Sequence, residues 1–339
     1  MSQRDFLHRF IFTHAEDEFA VGVTPGSYAG GPIRRERIGD HRKASPQDAA
    51  QVRVAPARGE LVQLDAAWQA LLSRSDYPPA VAELLGQAAV AAVLLAATLK
   101  IDGKLTLQVM TDKPAETDAS RPGGVHLLVM QVSSDRELRG LARWHGDVSE
   151  NGLALMGDGR LVMTIETARG ERYQGIVPLE GASLAQALEG YFERSEQLPT
   201  RLWLEAGPQR AAGLLVQKMP GHDSGRDDED WNRIVALSGT VTRDELLDLS
   251  AETLLHRLYH EEDRRVFEPE AVRFACSCSR ERVADMLRSL GRDEIDGIIA
   301  EQGHVEVDCE FCNARYTFDA VDAAGLFVDA PHPGAEGLH

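Results

Sequence analysis

The sequence predicts an α+β protein: an N-terminal domain with a mixed or antiparallel sheet packed with helices, a helical linker, and a small C-terminal zinc-binding domain. Three observations carry this. Apolar segments of strand length recur through the first 220 residues around one long alanine-rich helical run. After Pro220 the composition turns polar and acidic, and two capped helical patterns follow. All four cysteines fall within residues 276–312.

FLHRFIFTH (6–14) and ARGELVQL (57–64) are expected strands. Residues 15–56 mix Gly, Pro and charge without periodicity, which predicts an irregular insertion. Residues 65–72 have a helical pattern. Pro78-Pro79 then opens a second helix that runs to near Lys100. Its most apolar stretch, Val81 to Leu99, contains Glu83 and Gln87 and is dominated by alanine. It reads as a buried core helix rather than a membrane span. KLTLQVM (104–110), GVHLLVMQVS (124–133), GRLVMTIET (159–167), RYQGIVPL (172–179), RLWLEA (201–206) and AAGLLVQKM (211–219) supply further strands. Residues 111–124 form a Pro/Gly-rich interruption, and 183–197 are helical.

The core domain is expected to span 1–220, the linker 221–274, the zinc domain 275–328 and a flexible tail 329–339. In the linker, Thr242 with Glu245 fits a capping box. Ser250 can cap ETLLHRLYHEEDRR, whose Leu254, Leu255, Leu258 and Tyr259 make an apolar face.

The formal net charge is -18 with 27% charged residues, a balance that repels phosphate backbones and argues against a nucleic-acid partner. Within 270–328, six arginines face twelve acidic residues. No G-x-x-x-x-G-K-[ST] loop is present, and Gly123-Gly124 and Gly157-Asp158-Gly159 read as turns, so no nucleotide is implied. The first residues lack a signal-peptide pattern, which points to the cytoplasm, with reduced thiols and no membrane partner. Nothing in the sequence points to catalytic residues, and the protein is not expected to be an enzyme.

Cys276 and Cys278 form C-S-C; Cys309 and Cys312 form C-E-F-C; 30 residues separate the pairs. Two close thiol pairs across such a spacer match a tetrahedral Cys₄ zinc site. Four thiolates leave no position for water, so hydrolytic zinc chemistry is not implied. His256, His260 and His304 are expected on the surface rather than as replacement ligands. Residue types alone leave three roles open. The zinc can hold together a constitutive protein-interaction module. It can be a redox switch, because zinc closes the 30-residue spacer while disulfides confined to each pair would leave it open. Or C-E-F-C can serve a thiol–disulfide oxidoreductase, although it runs into the strand-like YTFD where such enzymes place a helix.

CSCSRERVADMLRSLG followed by DCEFCNARYTFD resembles the zinc domain of the 33 kDa chaperonin family, the redox-regulated bacterial heat-shock holdases. RGELVQLD, LLAATLKIDGKLTLQ, ERYQGIVPLEG, YFERSEQLPTRLWL and LLHRLYHEED are similar to family segments in the same order. The resemblance implies an inactive reduced form with one Zn²⁺ on Cys276, Cys278, Cys309 and Cys312. It implies that oxidation forms the disulfides Cys276–Cys278 and Cys309–Cys312, releases zinc, unfolds the linker and favours a homodimer. That form would hold unfolding client proteins without ATP and pass them to ATP-driven chaperones. Residues near 15–56 and 111–122 depart from the family, which has short loops there.

Overall fold

Residues 4–13, 57–98, 102–111, 124–148, 155–156, 159–220 and 225–327 are described by a computed structural model, without side chains at 225–227. The expected insertion at 15–56, most of the interruption at 111–124 and the tail at 329–339 lie outside the described residues.

Two units are distinguished, Met1–Phe274 and Ala275–His339. The first begins with β1 (Phe6–Phe12), β2 (Ala57–Leu64), α1 (Ala66–Leu72) and α2 (Pro79–Thr98). β3 (Gly103–Thr111), β4 (Gly124–Ser133), β5 (Glu137–His145), β6 (Gly159–Thr167) and β7 (Arg172–Pro178) follow. Then come α3 (Leu184–Tyr191), extended by a π turn over Phe192–Glu196, β8 (Thr200–Ala206) and β9 (Ala211–Lys218). The linker supplies α4 (Gly225–Ser238), α5 (Arg243–Asp248) and α6 (Ala251–Tyr259). Three short strands end the unit: β10 (Arg264–Val266), β11 (Glu270–Ala271) and β12 (Arg273–Phe274).

These strands make two sheets, where the sequence suggested one. The first has the order β10-β1-β2-β9-β8, with β11 also on β1, and is antiparallel throughout. The second has the order β12-β5-β4-β3-β6-β7 and is antiparallel except for the parallel β12–β5 pair. Alternation tells which side chains face inward, but not which distant strand lies alongside.

Helix α2 is the centre of the unit. It is long and apolar enough to cross a membrane by composition, yet it packs on β2, β8 and β9 of one sheet and on β3, β4 and β5 of the other. Its alanines explain how one helix serves two sheets, since small side chains let both approach. At Gly86 an added Cβ would lie 2.5 Å from the Ala206 Cβ. Leu7, Val62, Leu64 and Leu215 of the first sheet face this core.

The opposite face of the first sheet is apolar as well. Phe10, Phe12, Leu61, Leu214 and Val216 point there and are covered by Trp231, Ile234, Leu246, Leu254, Leu255, Leu258 and Tyr259 of α4–α6. Tyr259 sits edge-on to Phe12, with ring centroids 5.0 Å apart, and its hydroxyl shares a 2.6 Å hydrogen bond with Ser238. The Thr242–Glu245 capping box forms at α5, and Ser250 caps α6 by accepting from the Thr253 amide. Gln63, buried on the same face, donates to the carbonyls of Leu246 and Leu249 at 3.1 and 2.8 Å. The linker is therefore not helical throughout. Its last residues are strands because β1 and β5 each present a free edge that they pair.

Edges are also managed by side chains. On the edge strand β8, the Glu189 carboxylate accepts from the Leu202 amide at 2.8 Å, occupying a donor that another strand could use.

A charged cluster lies where the strands of the linker cross between the sheets. Glu270 of β11 pairs with Arg9 of β1 and, at 2.8 Å, with Arg136 in the β4–β5 turn. Arg136 also donates to the Ala96 carbonyl at 3.3 Å, and Arg58 to that of Thr98 at 3.3 Å, so two arginines cap the C-terminus of α2. Glu60 is only 3% exposed, and its Oε2 has no hydrogen-bond partner among the described residues. Burial pushes its carboxyl up to about 7 against the pull of Arg58, Arg9 and Arg136. A raised carboxyl costs stability where it must ionise. The cost is absent below the unfolded value near 4.5, grows as pH rises, and is complete above about 7. Glu60→Gln should therefore stabilise the protein by about 3 kcal/mol at pH 8 and by little at pH 4.5. Denaturant melts at both pH values check this; equal effects at the two would refute it.

The second unit contains α7 (Arg280–Leu290), α8 (Arg292–Gln302), the hairpin β13 (His304–Asp308) with β14 (Arg315–Asp319), and α9 (Ala320–Gly325). Val283, Ala284, Leu287, Ile295, Val305, Phe318, Ala323 and Leu326 form its small core.

Candidate metal centre

The hairpin builds one half of the site. β13 ends at Asp308, and the chain turns through C-E-F-C into β14. The Cys309 amide donates to the Ala314 carbonyl at 2.9 Å, and the Asn313 amide to the Cys309 carbonyl at 2.7 Å. Asn313 takes a left-handed φ of 57°, which asparagine tolerates better than most residues. Cys276 and Cys278 supply the other half, just ahead of α7. Ser279 caps that helix by accepting from the Arg282 amide, so Cys278 lies at its positive end.

The four sulfurs converge. Cys276 and Cys309 Sγ are 3.6 Å apart, Cys278 and Cys312 Sγ 3.2 Å, and all four lie within 4.8 Å of one another. A tetrahedral zinc with bonds of about 2.3 Å places its sulfurs about 3.8 Å apart, so the donor set fits that ion. All four cysteines are half-buried and free of disulfides. His256, His260 and His304 are exposed and take no part in the cluster.

Burial pushes the thiols of Cys309 and Cys312 up, that of Cys312 to about 12. Backbone amides pull the other way: those of Cys312 and Phe311 toward the Cys309 sulfur, and that of Ala314 toward the Cys312 sulfur. Without metal these sulfurs keep their protons at neutral pH. A bound metal would displace them and would be held by thiolates.

The sequence reading missed one contact. The Tyr316 hydroxyl donates to Cys278 Sγ at 3.2 Å. The signal was available, because Tyr316 and Phe318 alternate with exposed residues and so share the inward face of β14.

The model of the family described as Hsp33 protein matches residues 49–319, taking in the linker and all four cysteines. The chain belongs to the Hsp33 family. Its Hsp33 relatives include the 33 kDa chaperonin of Nitrosococcus oceani, 50% identical over 276 residues, or 81% of this chain and 91% of that one. The 33 kDa chaperonin of Azotobacter vinelandii is also 50% identical, over 80% of this chain and 90% of its own. That of Shewanella loihica is 44% identical over 82% and 93%. The crystal structure of a 33 kDa chaperonin, a heat shock protein 33 homologue from Thermotoga maritima, superposes with a TM-score of 0.67 at 22% identity, covering 80% of this chain and 93% of that one. That likeness bears out the α+β fold. Membership in Hsp33 supports a chaperone role.

Proposed function

We propose that this Hsp33 chain is a redox-regulated, ATP-independent holdase acting in the cytoplasm. In the reduced form Cys276, Cys278, Cys309 and Cys312 hold one Zn²⁺, which joins the two ends of the spacer. Oxidation pairs Cys276 with Cys278 and Cys309 with Cys312 and releases the metal. Two electrons leave with each disulfide, taken by an oxidant such as peroxide. The second unit then loses its main cross-link. The linker follows, the freed chain dimerises, and unfolding proteins are held until ATP-driven chaperones receive them.

The observation that carries this reading is the placement of α4–α6. They cover a large apolar face of the first sheet, and the chain that leaves them reaches Cys276 two residues after β12 ends. A segment that hides apolar surface and runs directly into an oxidisable centre is suited to being released by it. No residue is assigned a catalytic role.

Zinc-loaded protein should be treated with peroxide under mild heat. Zinc release should accompany suppression of a client protein's aggregation, and peptide mapping should find the two within-pair disulfides. Retained zinc, or equal activity before and after oxidation, would instead favour a constitutive interaction module with a structural zinc. Disulfides across the pairs, Cys276–Cys309 or Cys278–Cys312, would keep the spacer closed and also count against the switch.

A further inference from the structure

The four sulfurs do not have the same surroundings. Cys309 and Cys312 lie within a hairpin turn whose own amides point at them. Cys278 lies outside that turn, and a side chain from the opposite half of the site reaches it. Tyr316 stands on β14 directly across from Val307. Its ring packs against the small core of the second unit, and its hydroxyl is delivered to Cys278 Sγ at 3.2 Å. The hairpin fixes this approach, since the Cys309–Ala314 hydrogen bond closes the turn immediately ahead of β14.

We propose that Tyr316 is a positioning residue of the thiolate centre, whose O–H shields Cys278 from electrophiles and oxidants and holds it toward the other three sulfurs. This rests on the zinc–thiolate reading above and adds to it a determinant of which sulfur reacts. An O–H donated to a thiolate draws density from the lone pairs that would attack an electrophile. Charge-assisted bonds of this kind are roughly twice as strong as neutral ones. Groups that hold metal ligands in place typically cost about 10- to 100-fold in metal affinity or activity when removed, and an alkylation rate gated by release of the sulfur from the metal should follow. The hydroxyl also links the C-terminal hairpin to the N-terminal cysteine pair without passing through the metal. Removing it should loosen Cys278 more than the two hairpin cysteines.

Tyr316→Phe in the full chain removes the donor and keeps the ring. Reduced protein loaded with zinc should be alkylated with iodoacetamide, the sulfur taking the carbon as iodide leaves, and the rate followed at each cysteine by mass spectrometry. Cys278 should react about tenfold faster in the variant, with Cys309 and Cys312 changed by less than about twofold. In cobalt-loaded protein the sulfur-to-metal charge-transfer band should shift, a signature that lost packing alone would not produce. Replacing the tyrosines biosynthetically by 3-fluorotyrosine, a stronger donor, should move the Cys278 rate in the opposite direction and keeps the test decisive if the Phe variant folds poorly. Unchanged Cys278 reactivity with an unshifted band overturns the role of Tyr316 alone. Wild-type protein that shows no sulfur-to-cobalt band overturns the metal-centre reading and this inference with it.

Discussion

Stripping the metal from reduced protein with a chelator, or replacing Cys312 by serine, is expected to unfold residues 275–327 while residues 57–220 stay folded. If the four cysteines hold zinc as proposed, the reason is the imbalance between metal and core in the second unit. Structural zinc contributes about 10–16 kcal/mol of apparent binding energy in small finger peptides. Against that stand, among the described residues, eight buried ones, two of them alanines, shared among three helices and one hairpin. The sulfurs, together with the Tyr316 hydroxyl on Cys278, also draw C-S-C onto the hairpin. The measurement is limited proteolysis with fluorescence alongside. The chain's four tryptophans, Trp68, Trp144, Trp203 and Trp231, all precede residue 275. Cuts after 275 should appear while emission from Trp68, in the inner core, and from Trp144, half-buried against it, is retained. Resistance to protease after chelation would show that the small core suffices, and the metal could not then act as the switch.

Tyr259→Ala is expected to free the linker without any oxidation. Tyr259 is fully buried, packs on both Phe10 and Phe12, and is hydrogen-bonded to Ser238. Truncating a buried aromatic costs about 3–5 kcal/mol, and here it also removes the hydrogen bond to Ser238, whose hydroxyl keeps the Ile234 carbonyl as its other partner. Ser238 ends α4 and Tyr259 ends α6, so one substitution weakens both helices. Apolar dye binding should rise, the environment of Trp231 on α4 should become more polar, and client aggregation should be suppressed by reduced, zinc-loaded protein. α2 should be unaffected, since it contacts the other face of the first sheet. A variant that exposes the sheet and still fails to hold clients would remove this face from the mechanism.

Some features of the chain could be read without coordinates because their causes are local. The cysteine spacing implies the donor set, since ligand number and pairing are written in order along the chain. The capping box at Thr242 and the cap at Ser250 are short-range hydrogen bonds, and both form. The alanine-rich run is a helix because alanine costs least in a helix, and its lack of a polar face already suggested burial.

Other elements were missed for equally physical reasons. α4 reads as an acidic boundary because DDED precedes the stripe of Trp231, Ile234 and Ser238 that shows its helical spacing. β5 passed unnoticed because Gly140 and three arginine or histidine side chains blur its alternation. β10–β12 are two or three residues long, too short to carry any period, and exist only because β1 and β5 offer them edges.

The sequence by itself determined the α+β composition, the core helix, the capped linker helices and the four-cysteine donor set, because each depends on neighbours a few residues apart or on residue chemistry alone. Only the tertiary structure decided that there are two sheets, that α4–α6 cover the outer face of the first, and that Tyr316 reaches Cys278. Those depend on which distant segments meet, and pairing at long range is set by the fit of whole faces and edges rather than by any local pattern.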